Sequence, residues 1–297
     1  MYPKIAAIMI NYAAAEDTIE CIKSLRRQTY PALDIIVVDN ASPDNSGKML
    51  KKELEGICTV LLSKENLGFS YGNNLGVDYA VQHGAEYLLF INNDTVQDKD
   101  MVMKLYTACD KDTIVVPKTY YYAEPNVLWD VGSTISPLGR IYNRGIDEMD
   151  AGQYDRAETV KLFSGHCLLM SVECIRCVGK WDERYFMYVE DTEYSMRLRE
   201  RGFRIMYVPN AKLWHKVGRT SGGNTNPKVM YYLIRNRLMV LHDRTFPVTC
   251  RLYAWLWIFW CEFRYRVQGC KAFCYTSRAV KDYRRGVVGK VEFSSEE

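Results

Sequence analysis

The sequence predicts an α/β protein built on an open, mostly parallel central sheet with flanking helices. Three observations lead there. Short apolar runs alternate with helical stretches through roughly the first 100 residues, the pattern of strands joined by crossover helices. Polar residues collect just past those runs, at Asn11-Tyr12, Asp39-Asn40 and Asp94, where the ligands of such sheets sit. The 48% hydrophobic and 25% charged residues in 297 match an ordinary globular mix that buries a core and excludes disorder as the dominant state.

The elements follow in order. Ile5–Ile10 is a continuous apolar run, as in a strand buried on both faces. Glu16–Gln28 carries Ile19, Ile22 and Leu25 at helical spacing, and Pro31 ends it. Ile35–Val38 is a second strand, Ser46–Leu54 a helix, Thr59–Leu62 a third strand and Tyr71–Gln82 a helix. Tyr87–Ile91 is a fourth strand, stopping at Asn92-Asn93-Asp94. Residues 115–170 read as strands and turns. Glu190–Arg201 is a charged helix closed by Gly202. Arg204–Val208 and Lys212–His215 read as short strands, Gly218–Pro227 as a loop, and the chain is helical from Pro227 to about Gly286.

Composition excludes several function classes. The net charge of +3 argues against a general nucleic-acid binder. Residues 1–240 carry 29 Lys and Arg against 30 Asp and Glu, whereas residues 241–297 carry 10 against 6, so the last fifth is a different surface. Ten cysteines are too sparse for a disulfide scaffold. Cys174-x-x-Cys177 lacks the second pair a zinc site needs, leaving two cysteines on neighbouring helical turns. The start reads as a strand and not a signal peptide, and no run of 18 apolar residues suits a membrane span, so the cytoplasm is the expected compartment. No Gly-x-Gly-x-x-Gly follows the first strand, which argues against a dinucleotide-binding dehydrogenase.

Two acidic sites could carry chemistry. Asp94 ends a buried strand, where its carboxylate could hold a divalent cation together with a diphosphate or close an Asx turn. Glu190, Asp191 and Glu193 open a helix. The helix dipole favours acids there; a general base with neighbours that adjust its pKa needs the same residues. Trp181 and its aromatic neighbours precede them as a wall suited to a sugar or to core packing. His215 stands at a strand end, with Lys216 and Arg219 after it to suit phosphate, and its imidazole could add a metal ligand. Gly68-Phe-Ser-Tyr-Gly72 opens a helix, whose N-terminus suits phosphate.

Taken in register, the motifs resemble a known family. Asn11-Tyr12, Val37-Val38-Asp39-Asn40-Ala41-Ser42, Asn66–Asn74 and Phe90–Thr95 occur in order. Ser164–Met170, Glu190-Asp191 with Arg197 and Gly202, His215 and Tyr231–Arg237 complete the series. The set is similar to the inverting glycosyltransferases of family 2, in the rhamnosyltransferase-like branch, over roughly residues 4–240. The resemblance implies the A-type glycosyltransferase fold. It implies a catalytic domain over 1–225, with a nucleotide-binding half at about 1–97 and an acceptor half at about 98–225, and a C-terminal helical region over 226–297. Asp39, Asn11 and Tyr12 would line the nucleotide pocket, and Asn66 and Gly68 would approach it. Asp94 and His215 would hold magnesium or manganese, although the first acid of the family's Asp-x-Asp is Asn92 here. Asp191 would be the base, with Glu190 beside it. Gly132, Gly165 and Trp181 are expected around the sugar or acceptor. The implied reaction moves a sugar from dTDP-L-rhamnose or a UDP-sugar to a glycan or lipid-linked glycan in cell-surface polysaccharide synthesis. The alternatives are a non-catalytic binding protein of the same fold, against which both acids argue, and a sugar nucleotidyltransferase, whose lysine-bearing phosphate loop is missing.

The segment Leu252–Phe263 holds three tryptophans and one glutamate and is too short to span a bilayer. Arg251, Arg264, Arg266 and Lys271 flank it. Aromatics with basic residues suit a headgroup boundary, and aromatics also favour a homodimer interface. The expectation is a membrane-surface or dimer contact, with the protein peripheral at the inner face of the cell membrane in the former case.

Overall fold

A computed structural model of the chain describes residues 1–137, 140–217, 226–267 and 272–293. The first half alternates as the apolar runs require. β1 (Ile5–Asn11), α1 (Ala15–Leu25), β2 (Leu33–Asp39), α2 (Ser46–Glu53), β3 (Thr59–Leu62), α3 (Phe69–Gln82) and β4 (Tyr87–Ile91) follow one another. β1 pairs in parallel with both β2 and β4, and β2 with β3. Side chains alternate across the sheet. Ile5, Ala7 and Met9 join one core with Cys21, Ile22 and Leu25 of α1. Ala6 and Ile8 join the other with Val77 and Ala80 of α3. α3 lies close on β1 because Gly76 has no side chain; a Cβ there would stand 2.4 Å from Ile8 Cγ2.

The second half is mixed. β5 (Thr95–Gln97), α4 (Met101–Ala108), β6 (Thr113–Tyr121), β7 (Leu128–Asp130), β8 (Ser133–Ile135), β9 (Ile141–Asn143), β10 (Glu158–Val160) and β11 (Cys167–Ser171) come next. Then come α5 (Val172–Val178), α6 (Glu190–Glu200) and β12 (Arg204–His215). The ten-stranded sheet runs β10-β12-β6-β11-β4-β1-β2-β3, with β5 on β12 and β7 on β6. β11 is antiparallel to β4 and β6, whereas β12 is parallel to β6. No helix separates β6 from β11, so no crossover returns the chain for a parallel pairing there. The two short strands expected over residues 204–215 are one strand whose register shifts between Val208 and Lys212.

The C-terminal region is helical: α7 (Pro227–Asp243), α8 (Val248–Val267) and α9 (Ala272–Arg284). Tyr231, Tyr232 and Ile234 of α7 share a core with Ile258 of α8, Tyr275 of α9 and Phe186, so these helices dock on the segment before α6. Most of the loop expected at Gly218–Pro227, Arg219 included, lies outside the described residues. Among the described residues no helix is long and apolar enough to cross a membrane. The nine described cysteines are free. Cys174 is buried and Cys177 exposed on α5, consistent with a plain helical turn.

Candidate active site

The carboxyl ends of β1, β2 and β4 open into a cavity of about 650 Å³. Tyr12, Asn66, Gly68, Asp94, Gly165, Glu190, Asp191 and His215 line it, as do Asn40, Trp129, His166 and Lys290. Residues from Tyr12 to Lys290 therefore meet at one place.

Sheet register explains the acid–imidazole pair. β5 runs against β12 with Thr95 opposite His215, so Asp94, one residue earlier, comes beside the imidazole. Asp94 Oδ1 lies 3.0 Å from His215 Nε2. Burial alone would raise the Asp94 carboxyl; the His215 hydrogen bond, the ring's charge and Lys216 more than offset it and hold the group below its ordinary value. His215 Nδ1 is buried without a partner among the described residues. The carboxylate is a donor that magnesium and manganese both accept, and the imidazole one that manganese takes more readily than magnesium, so the pair fits such an ion, manganese better, if a diphosphate supplies further oxygens. Among the described residues no group of three His, Cys, Asp or Glu could hold a metal by itself.

The second pair sits at the start of α6. Asp191 Oδ1 accepts the Thr192 N–H at 2.6 Å, and Oδ2 accepts the Gly165 N–H at 3.1 Å. Glu190 Oε2 is buried with no partner among the described residues. Burial raises both carboxyls, and the charge of Asp191 raises Glu190 further, to about 8. The two N–H donors go to Asp191, so Asp191 is the member that ionises first and Glu190 keeps its proton at neutral pH. The third acid is structural: Glu193 is fully buried and binds Arg197 at 2.9 Å and Arg244 at 2.6 Å. The turn into α6 is strained, with Tyr188 at φ +65° and Val189 at φ +71°, conformations that cost about 1–3 kcal/mol each. Asn236 of α7 holds it, donating to the carbonyls of Met187 and Tyr188 at 2.9 Å.

Other expected residues are placed differently. Asn11 is fully buried; its Nδ2 donates to Asp39 Oδ1 at 2.7 Å and to Ser46 Oγ at 3.1 Å. Asp39 also accepts from Ser42 Oγ at 2.6 Å and Ser42 N–H at 3.1 Å. Neither lines the cavity; together they hold the loop after β2, from which Asn40 reaches it. Trp181 is in the core, edge-on to Phe69 and Phe90, where Asn74 of α3 binds both its N–H and its carbonyl. Gly132 is also off the cavity, at φ +89° in a turn against Val160. Lys216 turns away to Asp17 and Glu20 of α1.

Gly68 is required where it stands. Its φ is +100°, and a Cβ would lie 2.0 Å from the Phe186 carbonyl oxygen, which accepts the Phe69 N–H at 2.8 Å.

Sequence reasoning missed Trp129, His166 and Lys290 as wall residues. The Trp129 ring meets His166 and His215 edge-on at 4.7 and 4.6 Å, and the two imidazoles stack at 5.5 Å. His166 Nε2 is 2.7 Å from Thr119 Oγ1, and burial followed by the charge of His215 keeps the ring neutral. Asp130, beneath it, is pushed up to about 8, chiefly by burial and then by Asp191. His166 stood inside the Ser164–Met170 motif, and its rarity among four histidines was the available signal.

The glycosyl transferase family 2 model matches residues 6–179, from β1 through α5, ending before Asp191 and His215. The chain is 26% identical over 224 residues to the dTDP-rhamnosyl transferase RfbF of Shigella flexneri, covering 72% of each. It is 27% identical over 217 residues to the low-salt glycan biosynthesis hexosyltransferase Agl10 of Haloferax volcanii, covering 69% of this chain and 64% of that one. With the poly-beta-1,6-N-acetyl-D-glucosamine synthase of Staphylococcus aureus the identity is 26% over 244 residues, or 78% of this chain and 55% of the synthase. The chain thus spans less than two thirds of the latter two relatives. The mannosyltransferase PcManGT of Pyrobaculum calidifontis, solved with GDP-Man and Mn2+, superposes with a TM-score of 0.59 at 14% identity over 96% of this chain and 76% of its own. GalNAc-T7, solved with UDP, GalNAc and Mn2+, superposes with a TM-score of 0.65 at 12% identity over 81% of this chain and 48% of its own. At such identities these two establish the architecture alone, the A-type glycosyltransferase fold. With that architecture, and with more than half of its length matched by the family model, the chain belongs to glycosyl transferase family 2.

Proposed function

We propose that the chain is an inverting glycosyltransferase that moves a sugar from dTDP-L-rhamnose or a UDP-sugar to a hydroxyl of a glycan or lipid-linked glycan, in the synthesis of a cell-surface polysaccharide. The observation that carries this reading is that Glu190-Asp191 and Asp94-His215 line one cavity: a base for an acceptor and a pair suited to a diphosphate. Asp191 takes the proton of the acceptor hydroxyl. The freed oxygen pair bonds to the anomeric carbon, and the bond from that carbon to the donor phosphate oxygen breaks on the opposite face. The configuration inverts, and the nucleoside diphosphate leaves with the bonding electrons. Glu190, protonated, adds no second charge beside the base. Asp94 and His215 would hold magnesium or manganese, which when bound neutralises the leaving group. Tyr12, Asn66 and the Gly68 backbone take the nucleotide; Asn11 and Asp39 set the loop that presents Asn40. Gly165 fixes Asp191 through its N–H, and Trp129 offers the sugar an aromatic face.

The α8 helix supports a lipid-linked acceptor. Val248, Leu252, Leu256, Phe259, Phe263 and Val267 are each at least 60% exposed and recur along one side of the helix. Exposed Arg251, Arg264 and Arg266 accompany them, against one acid, Glu262. This face suits the headgroup layer of an anionic membrane.

The test is incubation of the protein with dTDP-L-rhamnose and a panel of UDP-sugars in the presence of Mn2+, following nucleotide release. Slow release from one donor, lost in Asp191→Asn, is expected. No release or transfer with any donor overturns the reading.

A further inference from the structure

Lys290 is the one lysine or arginine among the described residues lining the cavity, and it comes from the chain's last segment, after α9. Its place is built. Gly289 N–H donates to the Arg184 carbonyl at 2.7 Å, and the Gly289 carbonyl accepts from Arg235 Nη1 at 2.9 Å. On the other side, Val291 N–H donates to Tyr232 Oη at 3.0 Å, and the Glu292 carbonyl accepts from Arg278 Nη2 at 3.1 Å. Phe293 then packs on Tyr231 and Tyr275, with ring centroids 5.2 Å apart in each case. The backbone is thus tied on both flanks of Lys290.

The ties are costly ones. Arg235 is fully buried, its guanidinium 5.3 and 5.0 Å from the ring centres of Tyr231 and Tyr232. A buried guanidinium with no carboxylate partner among the described residues carries a desolvation cost. It is spent on one carbonyl of the strap and on its neighbour Asn236, which supports the strained turn before Glu190. Consecutive residues of α7 therefore hold the strap and the rim of the cavity together.

The charge balance says what Lys290 does. Asp191 gives the cavity negative charge, which repels a diphosphate, Asp94 is set against His215, and Lys216 is occupied by Asp17 and Glu20. Lys290 makes no ion pair among the described residues. An ammonium on a fixed backbone with a flexible stem is a point-charge ligand for phosphate. We propose that residues 287–293 form a strap that completes the site, and that Lys290 binds a phosphate oxygen of a substrate diphosphate. The inference rests on the transferase reading above. The phosphate is either the donor's or that of a lipid-linked acceptor.

Calorimetry on the full chain with Mn2+ tests it, using UDP and dTDP as donor probes, uridine and thymidine as phosphate-free controls, and farnesyl diphosphate as the lipid probe. A hydrogen bond to a charged group is worth about 1.5–3 kcal/mol, so Lys290→Met should weaken the affected diphosphate about 10- to 100-fold. Nucleoside affinity should stay unchanged, and Lys290→Arg should retain most of the diphosphate affinity. Lys290 is exposed, so the variants fold. Loss confined to UDP or dTDP assigns the donor phosphate; loss confined to farnesyl diphosphate assigns the acceptor phosphate. A wild-type protein that binds these diphosphates and a Lys290→Met variant that binds them as tightly overturn this proposal alone. A wild type that binds none of them overturns it together with the donor reading.

Discussion

Replacing Asp191 by asparagine separates the two carboxyls of the α6 start. The side chain keeps its shape and loses the ability to take a proton. Loss of a general base lowers the rate about 10²–10⁴-fold, or roughly 3–5 kcal/mol of barrier. The structure adds a second effect. Both Asp191 oxygens accept backbone N–H groups, from Thr192 at 2.6 Å and Gly165 at 3.1 Å. Asparagine has one acceptor oxygen, so one N–H faces an NH2 group, at a cost of about 1–3 kcal/mol in stability. A third effect falls on Glu190, which loses the neighbouring charge that helps raise it to about 8 and ionises at lower pH. Glu190→Gln, by contrast, replaces a carboxyl already protonated at pH 7 and should stay within tenfold of wild type. The assay is single-turnover transfer with the accepted donor from pH 5 to 9, beside calorimetry with UDP or dTDP and urea denaturation. The expected result is a folded Asp191→Asn protein with near-normal nucleotide affinity and at least a hundredfold slower transfer. Transfer within tenfold of wild type, or a greater loss in Glu190→Gln, refutes the assignment of the base.

Asp130 and Glu190 are both held at about 8, above the roughly 4 of an unfolded chain. The stability they contribute is fully present below about pH 4 and is lost as pH rises through about 8; the denaturation midpoint should fall over that window, and less in Asp130→Asn, whereas an equal fall in that variant speaks against the buried acid. Nucleoside diphosphate binding should strengthen with Mn2+ or Mg2+, and Asp94→Ala should remove most of the gain; equal affinity with metal and with chelator would leave Asp94 as a turn residue. Gly68→Ala should cost more than about 3 kcal/mol in urea melts, since its Cβ meets the Phe186 carbonyl at 2.0 Å, whereas Gly84→Ala, at φ +80° with nothing within 4 Å, should cost only about 1–2 kcal/mol. Leu256→Glu with Phe259→Glu should abolish flotation with anionic vesicles, and high salt should weaken the wild-type interaction; a wild type that ignores vesicles but forms a salt-resistant oligomer would assign the α8 face to a second copy of the chain.

Periodicity along the chain determined the local elements. The apolar runs at Ile5–Ile10, Ile35–Val38 and Tyr87–Ile91 are strands because a strand buried on both faces needs unbroken apolar sequence, and their polar followers mark the cavity edge. Glu190 and Asp191 were legible as an acidic helix start, and Asp94 as a strand-end acid, since both signals lie within a few residues. Only the tertiary structure decided which of these side chains meet. Asp94 reaches His215 through the β5–β12 register, a pairing across 121 positions that no local pattern encodes. Asn11 and Asp39 look alike in sequence whether they face ligand or each other; their opposition in the β1–β2 register turned them inward. Trp181, expected at the cavity, fills the core, and Trp129, for which the sequence offered no signal, lines the wall, since an aromatic ring does one or the other according to what packs behind it. Lys290 had no motif at all. Its place at the cavity came from hydrogen bonds made by its neighbours' backbone, and backbone groups carry no residue identity for a sequence to display.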